Sequence, residues 1–499
     1  MAPDQANYLD LFANFADGMD HSESESFLDR FSMPNPILES SMSPMMPTSP
    51  PHTLAFGNQN DRSSLYSLAG LHRNYFDVIY FSLPFLSEDR FTAELAANPN
   101  SPALLALSYA VALVGCTITL QHAHLRDAYY ATARNYVEQC ERSLSEEDLA
   151  SFNLFQALLF LIRFEIMNRR LTRAWMTLGR AVRLSKLLGL HRMDRDTNEY
   201  TSCFDLDLGL PTTQDPLLLE ERRRSFWCLY ILESYVRTRT GADCELVDTK
   251  KLHVFLPSPG LLSPGFSPLK MPFLDDLTPE SSHEISSYAG CVLMVELAMK
   301  CFDHGRKIES GASTFGFWDT HYNLVHTVDE RITMLQRHMN AKAIKEDPVA
   351  FGLYMNLRGT EIYFHEASIL YVERTGHPRL VAAESQRRSL ATAYKIATVV
   401  RLNWPDQQSK HDIFMLQATF IAWPLVMAMK ALHRELKHYL AQQHQYGEAM
   451  TELVTSLRIL MKALDYIEEG DGFWHKSTED IAAVLLGLHD GAGLDSVAL

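Results

Sequence analysis

The sequence predicts an all-α protein, a large multi-helix bundle or solenoid-like domain in two halves with a disordered acidic N-terminal tail. Three observations lead to this class. Apolar residues recur at helical spacing from about Tyr75 onward, strand-type alternation is nowhere sustained, and a proline-rich stretch interrupts the helices. The chain has 499 residues, of which 46% are hydrophobic, so it can bury a sizeable core.

Residues 1–65 are predicted to form the disordered tail, which is acidic at first and then rich in Ser, Pro and Met. Its opening alternates acids with aromatic residues, a composition typical of amphipathic activation segments. Leu11, Phe12 and Phe15 form a small apolar cluster flanked by aspartates, so we expect a short helix there to form on a coactivator groove. An inert, solvated tail is the alternative interpretation.

Residues 70–256 are predicted to form the first helical half. The stretch 103–124 lacks charged residues and is long enough for a membrane span, but polar and small residues dilute it. We therefore expect a buried core helix or a helix pair broken near Gly115. Residues 126–190 are expected to form three helices, the last of which stops at Gly189. Another helix is expected over 217–238, because Pro216 suits its first turn.

Residues 257–283 contain six prolines and are predicted to be a long, exposed loop or linker between the halves. The second helical half is expected over residues 284–475, followed by a C-terminal segment, residues 476–499. Within the second half, apolar periodicity predicts helices near 318–340, 347–372, 383–403, 411–437 and 448–468.

Composition and cysteine spacing exclude several classes of protein. The chain has 45 basic and 61 acidic residues, a net charge of −16, which argues against an autonomous nucleic-acid binder. Its seven cysteines are widely spaced and include no Cys-x-x-Cys pair, so a zinc finger or ribbon is not expected. The N-terminus carries no basic segment of the kind that opens a secretory signal.

Motifs typical of enzymes are also missing. We find no glycine-rich phosphate loop, no Gly-x-Ser-x-Gly elbow and no His-Glu-x-x-His pair. The 20 histidines are scattered, and surface or hydrogen-bonded roles are favoured for them over metal binding. The sequence therefore predicts no enzyme, no catalytic residue, no cofactor and no metal site.

The most informative stretch opens the helix predicted over 217–238. Glu220 and Glu221 precede three consecutive arginines, Arg222–Arg224, and helical spacing brings Glu220 close to the second and third of them. This pattern favours internal ion pairs. A phosphate-binding or nuclear-address role for the arginines is the weaker alternative, since acids precede them and aromatics follow.

The residues after these arginines predict a buried helix face. Phe226, Trp227, Tyr230 and Ile231 lie at spacings that would share one apolar surface. We expect this surface to pack on the preceding helix, whose apolar residues from Ala174 to Leu188 also share one face.

The stretch 174–257 resembles the fungal-specific transcription factor domain, the helical middle region of fungal zinc-cluster regulators. The motif residues that carry the resemblance are Gly189, His191 and Arg192, then Glu221, Arg223, Arg224, Phe226 and Trp227, and finally Pro257. The likeness extends upstream to Tyr75-Phe76 and downstream to a Phe-Ile-Ala-Trp-Pro-Leu run at 420–425, so it covers most of residues 70–475.

The chain departs from the family pattern in two ways. It has Glu233-Ser234 where members usually show Asp-Arg, so an ion pair at that position is not expected. The family reads DNA with a binuclear zinc cluster of six cysteines, whereas the first cysteine here is Cys116. The resemblance therefore assigns no DNA-reading role to any residue of this sequence. A natural co-regulator and an upstream exon missing from the sequence are both compatible with this difference.

The resemblance implies a nuclear transcription regulator of a metabolic or secondary-metabolite gene set. It implies contacts with other transcription factors or coactivators and no membrane, and it is compatible with a homodimer or a heterodimer. Autonomous sequence-specific DNA binding is not expected. The alternative function is a helical small-molecule sensor or enzyme with a pocket between the two halves.

Overall fold

The computed structural model describes residues 61–117, 125–143, 145–195, 209–246, 248–278, 285–309, 316–405, 412–441, 447–468 and 472–492. Throughout these ranges the regular structure is helical, and an isolated antiparallel bridge between Phe255 and Phe273 is the nearest approach to a strand. The all-α class is confirmed. The predicted activation segment, with Leu11, Phe12 and Phe15, lies outside the described residues.

The first half contains eight α-helices among the described residues. They are α1 (Asp61–Asn74), α2 (Glu88–Ala97), α3 (Pro102–Gly115), α4 (Arg126–Arg142), α5 (Glu146–Leu149), α6 (Phe152–Met167), α7 (Leu171–Leu187) and α8 (Pro216–Thr240). The first of them begins inside the last residues of the predicted tail and runs into a π-helical turn at Tyr75–Ile79.

Local sequence explains where the long helix α8 begins and ends. The Asp215 carboxylate accepts a hydrogen bond from the Leu217 amide at 3.0 Å, and Pro216 occupies the first turn, where its missing N–H costs nothing. The helix ends at Gly241, whose φ of 68° is left-handed and suits glycine. Just after α7, Gly189 also has a left-handed φ of 69°.

The second half continues with helices of similar length. They are α9 (Ser287–Glu309), α10 (Phe317–Met334), α11 (Ala341–Glu346), α12 (Pro348–Thr375), α13 (Ala383–Leu402), α14 (Ile413–Ala441), α15 (Glu448–Ile467), α16 (Phe473–Lys476) and α17 (Glu479–Ala492). Helix α12 packs against α9, α13 and α14, and α15 packs against both α13 and α14.

Two hydrophobic cores meet within α9. Buried residues of this helix up to Cys301 belong to the first core, and those from Phe302 onward belong to the second. The change of core therefore lies within a single helix. A rigid helix that contributes to both cores couples the two halves mechanically.

The proline-rich segment, predicted from its composition to be an exposed loop or linker, is only partly exposed. It folds back on the first half, where Leu262, Met271 and Leu274 are buried. The Leu256 amide donates to the Pro272 carbonyl at 3.0 Å, and the rings of Phe255 and Phe273 stack 4.5 Å apart. Apolar side chains between the prolines explain the burial, since they have enough surface to pack on a neighbouring helix.

Two apolar helices are interior helices of the fold. Helix α3 is buried along most of its length, as the sequence predicted. Helix α14 is long and apolar enough to cross a membrane by length and composition, but 67% of its most apolar stretch is buried against the rest of the protein. Such burial is typical of a core helix.

Helices α12 and α14 approach each other closely at Gly359. A Cβ atom at this position would lie 2.9 Å from the Trp423 ring and 3.1 Å from the Pro424 Cα. A side chain larger than glycine would push the two helices apart.

Candidate functional site

The predicted motif residues meet at the N-terminal half of α8, which forms an ion-pair junction. We call this site the α8 junction: Glu220, Glu221 and Arg222–Arg224 with their partners Arg90 and Asp194. The carboxylates and the guanidinium groups are all buried or nearly so. The site links α8 to α2, to α6 and to the proline-rich loop.

Glu221 is the most completely satisfied acid of the junction. It is fully buried and accepts hydrogen bonds from Arg90 Nε at 2.7 Å and from Arg90 Nη2 at 2.8 Å. The Ser87 amide and Gln156 Nε2 donate to the same carboxylate, each at 3.0 Å. Burial alone would lower the pKa of Arg90, but the attraction of Glu221 and Glu94 raises it overall.

Glu220 and Arg224 form a second buried pair one helical turn apart. Arg224 Nε donates to Glu220 Oε1 at 2.9 Å, and the Ser258 amide donates to the same oxygen at 2.8 Å. Arg224 Nη2 reaches the carbonyls of Ser258 and Gly260 at 2.8 and 2.7 Å. Burial raises the pKa of Glu220, although the neighbouring arginines oppose the shift. This pair therefore fastens the loop to α8.

The other two arginines also have internal partners. Arg223 donates two hydrogen bonds to Asp194, at 2.8 and 2.6 Å, in the bidentate arrangement typical of a strong pair. Arg222 Nη1 donates to the Pro211 carbonyl at 2.9 Å. Because all three guanidinium groups are committed inside the protein, the internal ion-pair interpretation fits the geometry better than phosphate binding or a nuclear address.

The aromatic residues after the arginines are buried as predicted. Phe226 and Trp227 are both 0% exposed, and Trp227 Nε1 donates to the Phe255 carbonyl at 2.8 Å. Pro257, two residues further along that loop, is also buried. Helix α8 contacts α7, as expected, but it packs more extensively on α9.

The remaining motif residues lie beside the junction. After Gly189 the chain makes a single 3₁₀ turn over Leu190–Arg192, in which His191 and Arg192 are half-buried. The His191 carbonyl accepts from the His253 amide at 2.8 Å, and the Asp194 amide donates to the His253 carbonyl at 3.0 Å. This short backbone ladder holds Asp194 in place for Arg223.

The departure at Glu233 has a clear structural consequence. The Glu233 carboxylate accepts from the Glu245 and Leu246 amides at 2.8 and 3.0 Å. The acid therefore orders the loop after α8 through backbone amides instead of pairing with a neighbouring arginine. Burial raises its pKa, and the two amide hydrogen bonds partly offset this.

Three partners of the α8 side chains could not be predicted from the sequence. Arg90, Gln156 and Asp194 are 131, 65 and 29 residues away from their α8 partners. Residue spacing within one helix predicts only local pairs, so no sequence pattern could have found these contacts. The one local hint is Ser87, the N-cap of α2, which places Arg90 in the first turn.

Among the described residues, no three His, Cys, Asp or Glu side chains are placed so that they could hold a metal ion, and the six cysteines are free thiols. His304, His321 and His365 form a buried histidine cluster, which contacts Phe317 of the second core and Phe364 of the first. The ring centroids of its first two members lie 5.5 Å apart, and the second stacks on Phe364 at 4.3 Å. Burial lowers the pKa of the three side chains to about 4, 3 and 4 in that order.

Comparison of the sequence with known proteins identifies the family to which the chain belongs. The fungal specific transcription factor domain matches residues 73–262, which contain the whole α8 junction. A depudecin biosynthesis cluster-specific transcription activator of Alternaria brassicicola is 47% identical over 497 residues, which cover 98% of this chain and 74% of the relative. The chain belongs to this family of fungal transcription regulators.

Other family members are similar over most of the chain. The depudecin activator of Fusarium langsethiae is 48% identical over 450 residues, covering 90% of this chain and 71% of its own length. A pigment biosynthesis transcriptional activator of Monascus ruber is 25% identical over 424 residues, covering 83% of this chain and 74% of the relative. No solved structure matches the chain. The resemblance inferred from the motif residues is confirmed, and the sensor or enzyme alternative finds no support among the relatives.

Proposed function

We propose that this protein activates transcription of a fungal biosynthetic gene cluster in the nucleus and that it does so through contacts with other proteins. The observation that carries the proposal is the 47% identity to a cluster-specific activator along 98% of the chain. Because two relatives near this identity are named as depudecin activators, we propose a cluster of the same type as its target.

Three features support protein contacts as its mode of action. The net charge of −16 gives no general attraction to DNA. The arginines of the α8 junction are engaged internally and are not available for phosphates. The tail segment around Leu11, Phe12 and Phe15 has the composition of an activation segment. We propose no enzymatic activity, in line with the names of the relatives.

A deletion strain tests the proposed target. The gene is deleted and restored with either the wild-type sequence or a variant carrying Phe12→Ala and Phe15→Ala, and transcripts are measured across the genome. We expect the genes of one contiguous biosynthetic cluster to lose expression on deletion and to recover only with the wild type. Unchanged cluster transcripts in the deletion strain, under conditions in which the wild-type strain makes the product, would refute the proposal.

A fusion experiment tests the tail on its own. Residues 1–60 are joined to an unrelated DNA-binding domain and a reporter is measured in a fungal host. Because aromatic anchors bind a coactivator groove and acids guide the approach, Phe12→Ala with Phe15→Ala should abolish most of the activation. Replacing the downstream Ser and Pro residues is the matched control and should change little. A silent wild-type fusion would assign activation to the helical domain.

DNA binding by the 499-residue polypeptide alone is a separate matter. We expect the purified chain to show no sequence-specific duplex binding at moderate salt, because sequence is read by side chains aimed at base edges and the junction arginines do not face solvent. Nuclease protection on promoter fragments of the cluster measures this. A defined footprint by the purified chain would contradict it.

A further inference from the structure

A small cavity lies between the two halves of the protein, where α8 and α9 face α12 and α14. Its volume is about 60 Å³. Met294, Val295 and Ala298 of α9 form an apolar wall, and polar side chains of α12 and α14, Thr360 and Gln417 among them, line another part. Of the described residues that line this cavity, Arg239 alone carries a formal charge, and none is Asp or Glu.

Arg239 is buried, and no described carboxylate pairs with it. Its side chain is only 4% exposed, and its guanidinium carbon lies 3.8 Å from the centre of the Trp423 ring. The hydrogen bond from Nη1 to Thr238 Oγ1 is long, at 3.5 Å, and Nε has no acceptor. Burial lowers the pKa of Arg239 to about 10 despite the opposing effect of Tyr235, so the group remains a cation at neutral pH.

Stacking of the Arg239 guanidinium group on the Trp423 ring stabilises the buried charge only in part. A cation–π contact attracts the charge of the guanidinium group to the ring face but gives no acceptor to the N–H groups at its edge. A buried cation usually has an anionic partner, because loss of hydration is costly when nothing replaces it. Arg223 and Arg224 of the α8 junction follow that rule, since they pair with Asp194 and Glu220. No described acid lies in the cavity beside Arg239.

The polar wall can add neutral hydrogen bonds. Gln417 and Thr360 are 4% and 1% exposed, and both side chains line the cavity. Gln417 is placed by Gly352, because a Cβ atom at that glycine would collide with the Gln417 amide. A hydroxyl and a carboxamide can each donate to an anion, so the cavity combines one positive charge with neutral donors and an apolar wall.

We propose that this cavity binds a small monocarboxylate, whose carboxylate pairs with Arg239 and whose short alkyl part lies against Met294 and Ala298. The volume of the cavity limits the size of the ligand. A water molecule needs about 10–15 Å³ of such volume, so the cavity holds roughly four non-hydrogen atoms, as in acetate, or slightly more after small adjustments. The site goes beyond the proposed function. Since its walls come from both halves, the bound anion would stabilise their contact.

Acetate and propionate serve as probes with the full-length wild-type protein. Thermal unfolding is followed with sodium acetate, sodium propionate or sodium chloride at equal concentrations, so that ionic strength is constant. Because a ligand that binds only the folded state raises its stability, we expect either carboxylate at ~50 mM to raise the midpoint by about 1 to 2 °C more than chloride does.

Three variants locate the effect. Arg239→Gln removes the charge, and Ala298→Leu fills the apolar end of the cavity without touching the guanidinium group; both should abolish the difference between carboxylate and chloride. Arg237→Gln is the matched control on the same helix, since Arg237 pairs with the partly exposed Asp303 at 2.8 Å and does not line the cavity. This variant should respond as the wild type does.

Ligand-observed magnetisation transfer covers the case in which Arg239→Gln fails to fold. In the wild type the acetate methyl signal should receive saturation from the protein and should lose it when propionate is added. In Ala298→Leu it should receive none. No transfer to acetate in the wild type, or an undiminished carboxylate effect in Ala298→Leu, would overturn the proposal. Neither result tests whether the protein activates cluster transcription, so the proposed ligand site can be wrong while the proposed function is right.

Discussion

Replacing Glu221 with glutamine removes one negative charge from the centre of the α8 junction while keeping the size of the side chain. Four donor groups converge on this carboxylate, and two of them belong to the guanidinium group of Arg90. After the substitution, an amide NH₂ group would face donors that need an acceptor. The guanidinium group would then lose its fully buried counter-charge.

The structure sets the size of the effect. Removing one partner of a buried ion pair usually costs about 3–5 kcal/mol, because the remaining charge stays buried and unpaired. Two features place Glu221→Gln at the lower end. Arg90 keeps a second acid, Glu94, at 2.9 Å from Nη1, and the arginine side chain is 13% exposed. We therefore expect a loss of about 3 kcal/mol in the free energy of unfolding.

Urea unfolding followed by far-ultraviolet circular dichroism measures this loss as a lower midpoint at unchanged slope. Glu138→Gln is the matched control, because Glu138 pairs with Arg142 at 3.2 Å on the exposed face of α4. Such a surface pair is usually worth less than about 1 kcal/mol. If the two substitutions cost the same, the junction would not be the buried ion-pair network described above.

Three further substitutions test packing and pH dependence. Trp227→Ala should cost about 3–5 kcal/mol because the ring is fully buried, whereas Trp175→Ala, at a position 53% exposed, should change stability by less than about 0.5 kcal/mol in the same urea assay. Gly359→Ala should destabilise the protein by about 1–3 kcal/mol, because its methyl group meets the Trp423 ring and the backbone of α14. Gly70→Ala, on an exposed turn of α1 with no atom near, should stabilise it by about 0.5–1 kcal/mol in thermal unfolding. Equal effects of the two substitutions would contradict the close contact between α12 and α14. The depressed pKa values of the histidine cluster mean that the unfolded chain binds more protons than the folded protein below about pH 6.5, so the free energy of unfolding falls as the pH is lowered. His304→Phe should therefore gain about 1 kcal/mol of stability relative to the wild type between pH 7 and pH 5.5. A constant difference between the two proteins would show that this histidine is not buried as a neutral ring.

Helical periodicity predicted the second half well. The helices expected near 347–372, 383–403 and 448–468 correspond to α12, α13 and α15. The apolar residues of α13 and α15 lie on one face at helical spacing, whereas α12 is buried on nearly all sides. The pairing of Glu220 with Arg224 was also predictable, since both lie on one face of one helix.

Long-range contacts were beyond prediction from a single sequence. Nothing in residue spacing indicates that Arg90 meets Glu221 or that Arg239 stacks on Trp423, because these contacts depend on how helices far apart in the chain pack. The proline-rich segment shows the same limit. Its composition predicts irregular backbone, but its burial depends on the surface of α8 and on the Ser258 and Gly260 carbonyls that receive Arg224.

The most direct measurement of the central claim is to purify the tagged full-length protein from nuclei of its fungal host and to identify bound proteins with and without nuclease. Action through protein contacts requires that transcription factors or coactivators remain bound after nuclease treatment and that the purified chain alone leaves no footprint on promoters of the cluster. Loss of every partner on nuclease treatment, together with a sequence-specific footprint by the chain alone, would contradict the claim.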